Sequence, residues 1–119
     1  HWSANLPVGP TMDRLYQVLL DGTHESILFV KFEDLTKNPR REMEKIYEYL
    51  DLPFYEHDFE NVEQITQEDD KVFGVFGDHK IRQKVSPVKE DFLEILGPSG
   101  CQMITDNYAW FYDAFGYKI

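Results

Sequence analysis

The segment Val30–Pro53, VKFEDLTKNPRREMEKIYEYLDLP, constrains the fold more than any other stretch of the chain. Asn38 suits a helix N-cap, and Pro39 suits the first helical position, where its missing N–H costs nothing. Met43, Ile46, Tyr47 and Leu50 then recur at i, i+3, i+4 and i+7, which draws one apolar stripe along a helix. Arg40 and Glu44, four apart on the other face, form a pair worth roughly 0.2–0.5 kcal/mol. Pro53 closes the unit. Just upstream, Ile27–Phe32 is β-branched and apolar with a single lysine. That pattern predicts a short strand buried on both faces, as in parallel sheets. Strand, polar turn and amphipathic helix are thus expected in immediate succession.

The rest of the chain reads as helices and loops. His1–Pro10 is irregular. Met12, Leu15, Tyr16 and Leu19 predict a helix that Gly22 ends. Tyr55–Asp70 is acidic and weakly periodic, with a turn of helix expected over Glu60–Ile65. Lys71–Lys84, with Gly74 and Gly77, reads as a loop with extended stretches. Ser86 and Pro87 open a short helix carrying Phe92, Leu93 and Leu96, stopped by Gly97. Ser99–Gln102 has the form of a capping box and starts the last helix. Its apolar face is Ile104, Tyr108, Phe111 and Phe115, and Gly116 is placed to end it. One strand cannot make a sheet, because its backbone groups need partners. Either further strands lie in the loops or the rest of the sheet belongs to a preceding segment. The start at His1 rather than Met favours the second, so a single domain or a fragment of one is expected over residues 1–119.

Composition narrows the function. An apolar share of 42% with 15% aromatics argues for a packed core. The net charge of -10 speaks against nucleic acid as the main partner, since backbone binding needs an excess of Lys and Arg. The acid concentrates in Glu56–Asp70, while Lys80, Arg82 and Lys84 form a local basic cluster able to hold an anion. One cysteine, Cys101, excludes an internal disulfide and fits a reducing, cytoplasmic compartment. No run approaches the ~18 apolar residues of a membrane span. His24, His57 and His79 lack metal-ligand spacing, and no metal is expected. The acidic triplet Glu68-Asp69-Asp70 reads as a solvated face.

Two segments carry a resemblance to a known family. Phe32-Glu33-Asp34-Leu35, then Thr36-Lys37, then Asn38-Pro39 and a helix, resembles a segment of sulfotransferases that use 3′-phosphoadenosine-5′-phosphosulfate (PAPS). The family pattern there is Tyr-Glu-Asp-Leu or Met, a polar run, Asn or Asp, and Pro. The resemblance implies that Phe32 lies by the adenine, where its ring face suffices for stacking; the alternative is a core residue at a strand end. It also implies an adenine-edge contact from Thr66. The second segment, Phe73–Val85, is similar to the glycine loop of the same family, which reads Arg-Lys-Gly-x-x-Gly-Asp in cytosolic members. Gly74, Gly77 and Asp78 match its last part, but Val72 and Phe73 stand where Arg and Lys grip the 3′-phosphate. The resemblance is to a bacterial-type variant, in which His79, Lys80, Arg82 and Lys84 replace that grip from the far side of the glycines. Arg82 is the favoured residue, since a guanidinium holds phosphate oxygens at two points. The alternative is a surface loop with solvated lysines. Glu33 and Asp34 are better explained by the neighbouring helix N-terminus than by acid–base catalysis.

The resemblance implies an α/β fold, of which this chain is the C-terminal portion of a P-loop-like sulfotransferase domain, mostly helical with one or few strands. It implies sulfuryl transfer from PAPS to a hydroxyl or amine acceptor, with a nucleotide co-substrate and an unidentified acceptor as partners, and self-association where apolar surface is uncovered. A non-catalytic acidic helical interaction module is the rival reading. Neither the phosphosulfate loop nor the segment bearing the catalytic base has a counterpart in residues 1–119. The purified 119-residue chain is therefore expected to transfer no sulfuryl group from PAPS. Radiolabelled sulfation of any acceptor by this chain alone would overturn that expectation.

Overall fold

The computed structural model describes residues 8–65, 81–89 and 91–118. Its elements are α1 (Val8–Leu20), a 3-10 turn (Thr23–Ser26), α2 (Phe32–Lys37), α3 (Pro39–Tyr49), α4 (Phe92–Asn107) and α5 (Ala109–Phe115). The chain divides into two compact units, His1–Ile27 with Lys89–Ile119, and Leu28–Val88. The described residues are mostly helical and include no strand. No helix among them is long and apolar enough to cross a membrane.

In the first unit, α1 ends at the expected glycine. Gly22 has φ 82°, and Asp21 turns the chain by accepting the Thr23 N–H at 2.9 Å. That hydrogen bond from Thr23 holds the Asp21 carboxyl below its ordinary pKa. Tyr16 of α1 meets Trp110 of α5 with ring centroids 4.9 Å apart. Around α5, Phe111 packs on Phe115 at 4.9 Å and stacks on Tyr117 at 5.5 Å. Gly116, at φ 64°, caps α5 and lets Tyr117 fold back, its N–H reaching the Tyr112 carbonyl at 3.0 Å. Phe92, Leu96, Cys101, Ile104, Tyr112 and Tyr117 line a hollow of about 360 Å³.

The expected start at Ser86 and Pro87 is corrected. The helix opens at Phe92, because Asp91 accepts the Glu94 N–H at 3.2 Å and supplies the cap. Gly97 does interrupt the helix, with φ 67° and ψ 164°, and Pro98 resumes it. Gln102, expected in a capping box, instead donates to Asp106 at 2.8 Å. The expected final helix is also broken once: Tyr108, at φ -123°, separates α4 from α5.

The expected strand Ile27–Phe32, all but its first residue in the second unit, is corrected. Ile27 is extended, at φ -123° and ψ 127°, but residues 27–31 form no strand, and Phe32 opens a helix. Ile27, Phe29, Val30 and Phe32 are all exposed rather than buried on both faces. The expected polar turn after it is α2. Glu33 and Asp34 in its first turn favour the helix dipole. Thr36 bonds back to the carbonyls of Phe32 and Glu33 at 2.9 and 3.3 Å.

Helix α3 agrees closely with the sequence pattern. Asn38 sits at the N-cap and Pro39 at the first position, although the cap is the Asn38 carbonyl accepting Glu42 N–H at 3.2 Å and not its side chain. Its C-terminal end is a Schellman turn: Leu52 N–H reaches the Tyr47 carbonyl and Asp51 N–H that of Glu48, with Asp51 at φ 53° in place of the usual glycine. Arg40 and Glu44 pair at 3.0 Å as expected. The unexpected residue is Glu42, 4% exposed and held by Lys45 at 2.8 Å and Arg41 at 2.8 Å. Thr36 and Glu42 are the only buried residues among those described; no apolar side chain is fully buried there.

At Gly97 an added Cβ meets nothing within 4 Å, so substitution there costs backbone strain alone. Gly97→Ala should destabilise the chain by about 1–3 kcal/mol. Gly100→Ala, where the new Cβ lies 3.3 Å from Leu96 Cβ but the backbone is helical, should cost less, because alanine favours the helix. Equal losses in chemical denaturation would contradict this account of the kink.

The paired Glu42 makes stability depend on pH. The Lys45 ammonium, and then Arg41, hold the Glu42 carboxyl below its ordinary pKa against the opposing effect of burial. The folded state therefore gives up protons more readily than the unfolded one. The stabilisation is complete above the ordinary glutamate value of about 4.3 and is lost as pH falls below it. Melting temperature should drop through that range, and Glu42→Gln should flatten the drop. An unchanged slope in the variant would show that Glu42 is not among the groups responsible.

Candidate functional site

The candidate site lies in the unit Leu28–Val88, and it is built outward from α3. Tyr47, on the apolar stripe of that helix, meets the His57 Nε2 through its hydroxyl at 3.0 Å. His57 is also ringed by Tyr55 at 5.0 Å, Phe59 at 5.6 Å and Phe54 at 6.0 Å. Arg40 closes the same corner. Its guanidinium makes a two-point ion pair with Glu56, bonds Glu44, and lies 5.3 Å from the centre of the Phe54 ring. The Arg40 hydrogen bond holds the Glu56 carboxyl below its ordinary pKa. The segment 54–59 is thereby tied to α3 by rings, a hydrogen bond and an ion pair.

From Phe59 onward the chain pairs with the segment that carries Arg82. Val85 N–H donates to the Phe59 carbonyl at 2.8 Å, and Val62 N–H to the Gln83 carbonyl at 2.6 Å. Side chains reinforce the contact. Gln83 Nε2 donates to Asn61 Oδ1 at 2.8 Å, and Ile81 N–H to Gln64 Oε1 at 3.3 Å. Lys84 Nζ bonds Glu60 at 2.5 Å. The turn of helix expected over Glu60–Ile65 is corrected: residues 59–62 are spent on these bonds to residues 83–85. Asp58 starts the segment by accepting the N–H groups of Glu60 and Asn61, each at 3.0 Å.

Of the residues singled out for nucleotide contact, Thr66, Gly74, Gly77, His79 and Lys80 lie outside the described residues. Phe32, Arg82 and Lys84 are described. Phe32 is the first residue of α2 and is 59% exposed. Lys84 is engaged by Glu60, whereas Arg82 has no carboxylate partner among the described residues. No hydrogen bond or ring contact among those residues joins Phe32 to Arg82.

The sequence motifs weigh His57 only as a metal ligand and do not join it to its ring partners. A signal was present: Tyr55, His57 and Phe59 alternate with acidic residues at period two, which places three rings on one side of an extended chain. Beside this cluster, Lys37, Arg40, Arg41, His57, Phe59 and Glu60 line an open cleft of about 550 Å³. Arg40 and Arg41 are already engaged there by Glu56, Glu44 and Glu42. No group of three or more His, Cys, Asp or Glu residues able to hold a metal ion occurs among the described residues.

Comparison with known proteins supplies the frame for this geometry. No curated protein and no solved structure matches the chain. The family model of the sulfotransferase domain matches residues 1–94. That range takes in α1, which the sequence motifs did not reach, and runs through α3, the ring cluster and the Arg82 segment to the first residues of α4. Because it spans well over half of the 119 residues, the chain belongs to the sulfotransferase domain family.

Proposed function

We propose that this chain serves sulfuryl transfer from PAPS to a hydroxyl or amine acceptor, and that it contributes the nucleotide side of the site. The observation that carries the reading is Arg82: a cation held on a pinned segment, with no carboxylate partner among the described residues, inside the span matched by the sulfotransferase domain. A doubly charged phosphate fits such a group, which offers two parallel N–H donors in a fixed plane. The donor supplies an activated sulfuryl group on a phosphate. The acceptor oxygen or nitrogen forms the new bond to sulfur, the bond from sulfur to the phosphate oxygen breaks, and the acceptor proton passes to a base.

Within this reading Arg82 holds the 3′-phosphate and Phe32 offers its exposed ring to the adenine, a contact of roughly 1–3 kcal/mol by analogy with other base–aromatic stacks. Lys84 is a poorer candidate for the phosphate than Arg82, because Glu60 already neutralises it. Thr66, Gly74, Gly77, His79 and Lys80 complete the proposed contact set. The P-loop-like α/β fold, with a sheet that includes residues beyond those described, belongs to the same proposal.

The test is a cycle of two proteins and two ligands. Arg82→Ala should weaken binding of 3′,5′-adenosine diphosphate by about 1.5–3 kcal/mol, the range for a hydrogen bond to a charged group. Binding of adenosine 5′-monophosphate, which lacks the 3′-phosphate, should not change. Lys89→Ala, outside the glycine segment, should alter neither. Equal losses for both ligands in calorimetry would remove the phosphate assignment.

A further inference from the structure

We infer that Asn61 is a positioning residue for Arg82, acting through Gln83, and so sets the affinity of the site for the 3′-phosphate without touching the ligand. The inference rests on the reading of Arg82 given above. The geometry behind it is a clasp on both sides of Arg82. On one side, Ile81 N–H is bound by Gln64 Oε1 at 3.3 Å. On the other, Gln83 is held twice, its carbonyl by Val62 N–H at 2.6 Å and its side-chain amide by Asn61 Oδ1 at 2.8 Å. Asn61 is itself fixed, since its N–H donates to Asp58 Oδ1 at 3.0 Å.

An exposed arginine on a free loop must be ordered when it binds, and that ordering subtracts from affinity. Here the backbone on either side is ordered beforehand by residues 59–64. Glu60 contributes in a second way. By binding Lys84 it spends its carboxylate on that neighbour and not on Arg82. The Asn61–Gln83 bond is the contact between two side chains nearest to Arg82 in sequence, so its removal should loosen the guanidinium more than it loosens the rest of the unit.

Calorimetry on the full chain tests this. Asn61→Ala should weaken 3′,5′-adenosine diphosphate binding roughly three- to tenfold, the effect of one hydrogen bond. It should leave adenosine 5′-monophosphate unaffected. Added to Arg82→Ala it should cause no further loss, because the two act through one contact. The exchanged pair Asn61→Gln with Gln83→Asn keeps donor, acceptor and total reach, and should recover most of the affinity. Gln83→Met, which removes the donor at similar length, gives the same reading should Asn61→Ala unfold. Additive losses in the double variant, or equal losses for the two nucleotides, would overturn the positioning role. If Arg82→Ala discriminates the nucleotides and Asn61→Ala does not, the role falls while the phosphate reading stands. If Arg82→Ala itself fails to discriminate, both fall.

Discussion

The hydrogen bond between the Tyr47 hydroxyl and His57, at 3.0 Å, decides where the chain runs after α3. A Schellman turn with Asp51 in the left-handed region reverses the backbone, but a turn alone does not fix the direction of the segment beyond it. Tyr47 does so by receiving His57 edge-on at 5.7 Å and Phe54 at 5.2 Å. Ring contacts of this kind contribute about 0.5–1.5 kcal/mol each beyond the area they cover. Arg40 then locks the same stretch from the other end of the helix through Glu56. Once residues 54–59 are placed, Phe59 is in position to accept from Val85, and the Arg82 segment is brought up alongside residues 59–64. The order of dependence is helix, ring cluster, clasp, guanidinium.

The readable parts of the chain are those whose signal is local. Asn38-Pro39 marks the start of α3, and the stripe from Met43 to Leu50 marks its extent, because capping and periodicity are properties of a few neighbouring residues. Gly22, Gly97 and Gly116 each fall where the backbone takes a positive φ, which glycine allows at least cost. The errors arose where a local pattern pointed one way and a longer contact the other. Ile27–Phe32 has strand composition, but a strand exists only with a paired neighbour, and among the described residues these side chains are exposed. Glu60–Ile65 has the acid content of a helix start, but residues 59 to 62 are engaged by residues 83 to 85, more than twenty positions away. No feature of the sequence singles out Glu42. Its burial depends on Arg41 and Lys45 folding over it, and no periodicity encodes that.

The described residues contain no fully buried apolar side chain, so none of them forms part of a dry core. Half-buried rings, backbone caps and ion pairs take that role. This shifts the balance of forces. Apolar burial stabilises in proportion to area, about 25 cal/mol per Å², and half-covered side chains yield only part of it. Charged contacts on exposed groups weaken with salt and with falling pH, which makes the placement of the Arg82 segment sensitive to conditions that would leave a dry core unmoved.

An acidic chain can still carry an anion site, because charge acts over short range. At physiological ionic strength the field of an exposed charge fades over about 8 Å, so the net charge of -10 matters less than the neighbours of one guanidinium. Those neighbours divide the labour. Glu60 is matched to Lys84, Glu56 and Glu44 to Arg40, and Glu42 to Arg41 and Lys45. These carboxylates of the described part of this unit are thus already paired with basic side chains other than Arg82. Lysine at that position would keep the charge but lose the planar pair of donors and bring a more tightly hydrated head group, which is harder to strip on binding. The distinction between Arg82 and Lys84, two residues apart on the same segment, therefore comes from a single partner: Glu60 pairs with Lys84 and not with Arg82.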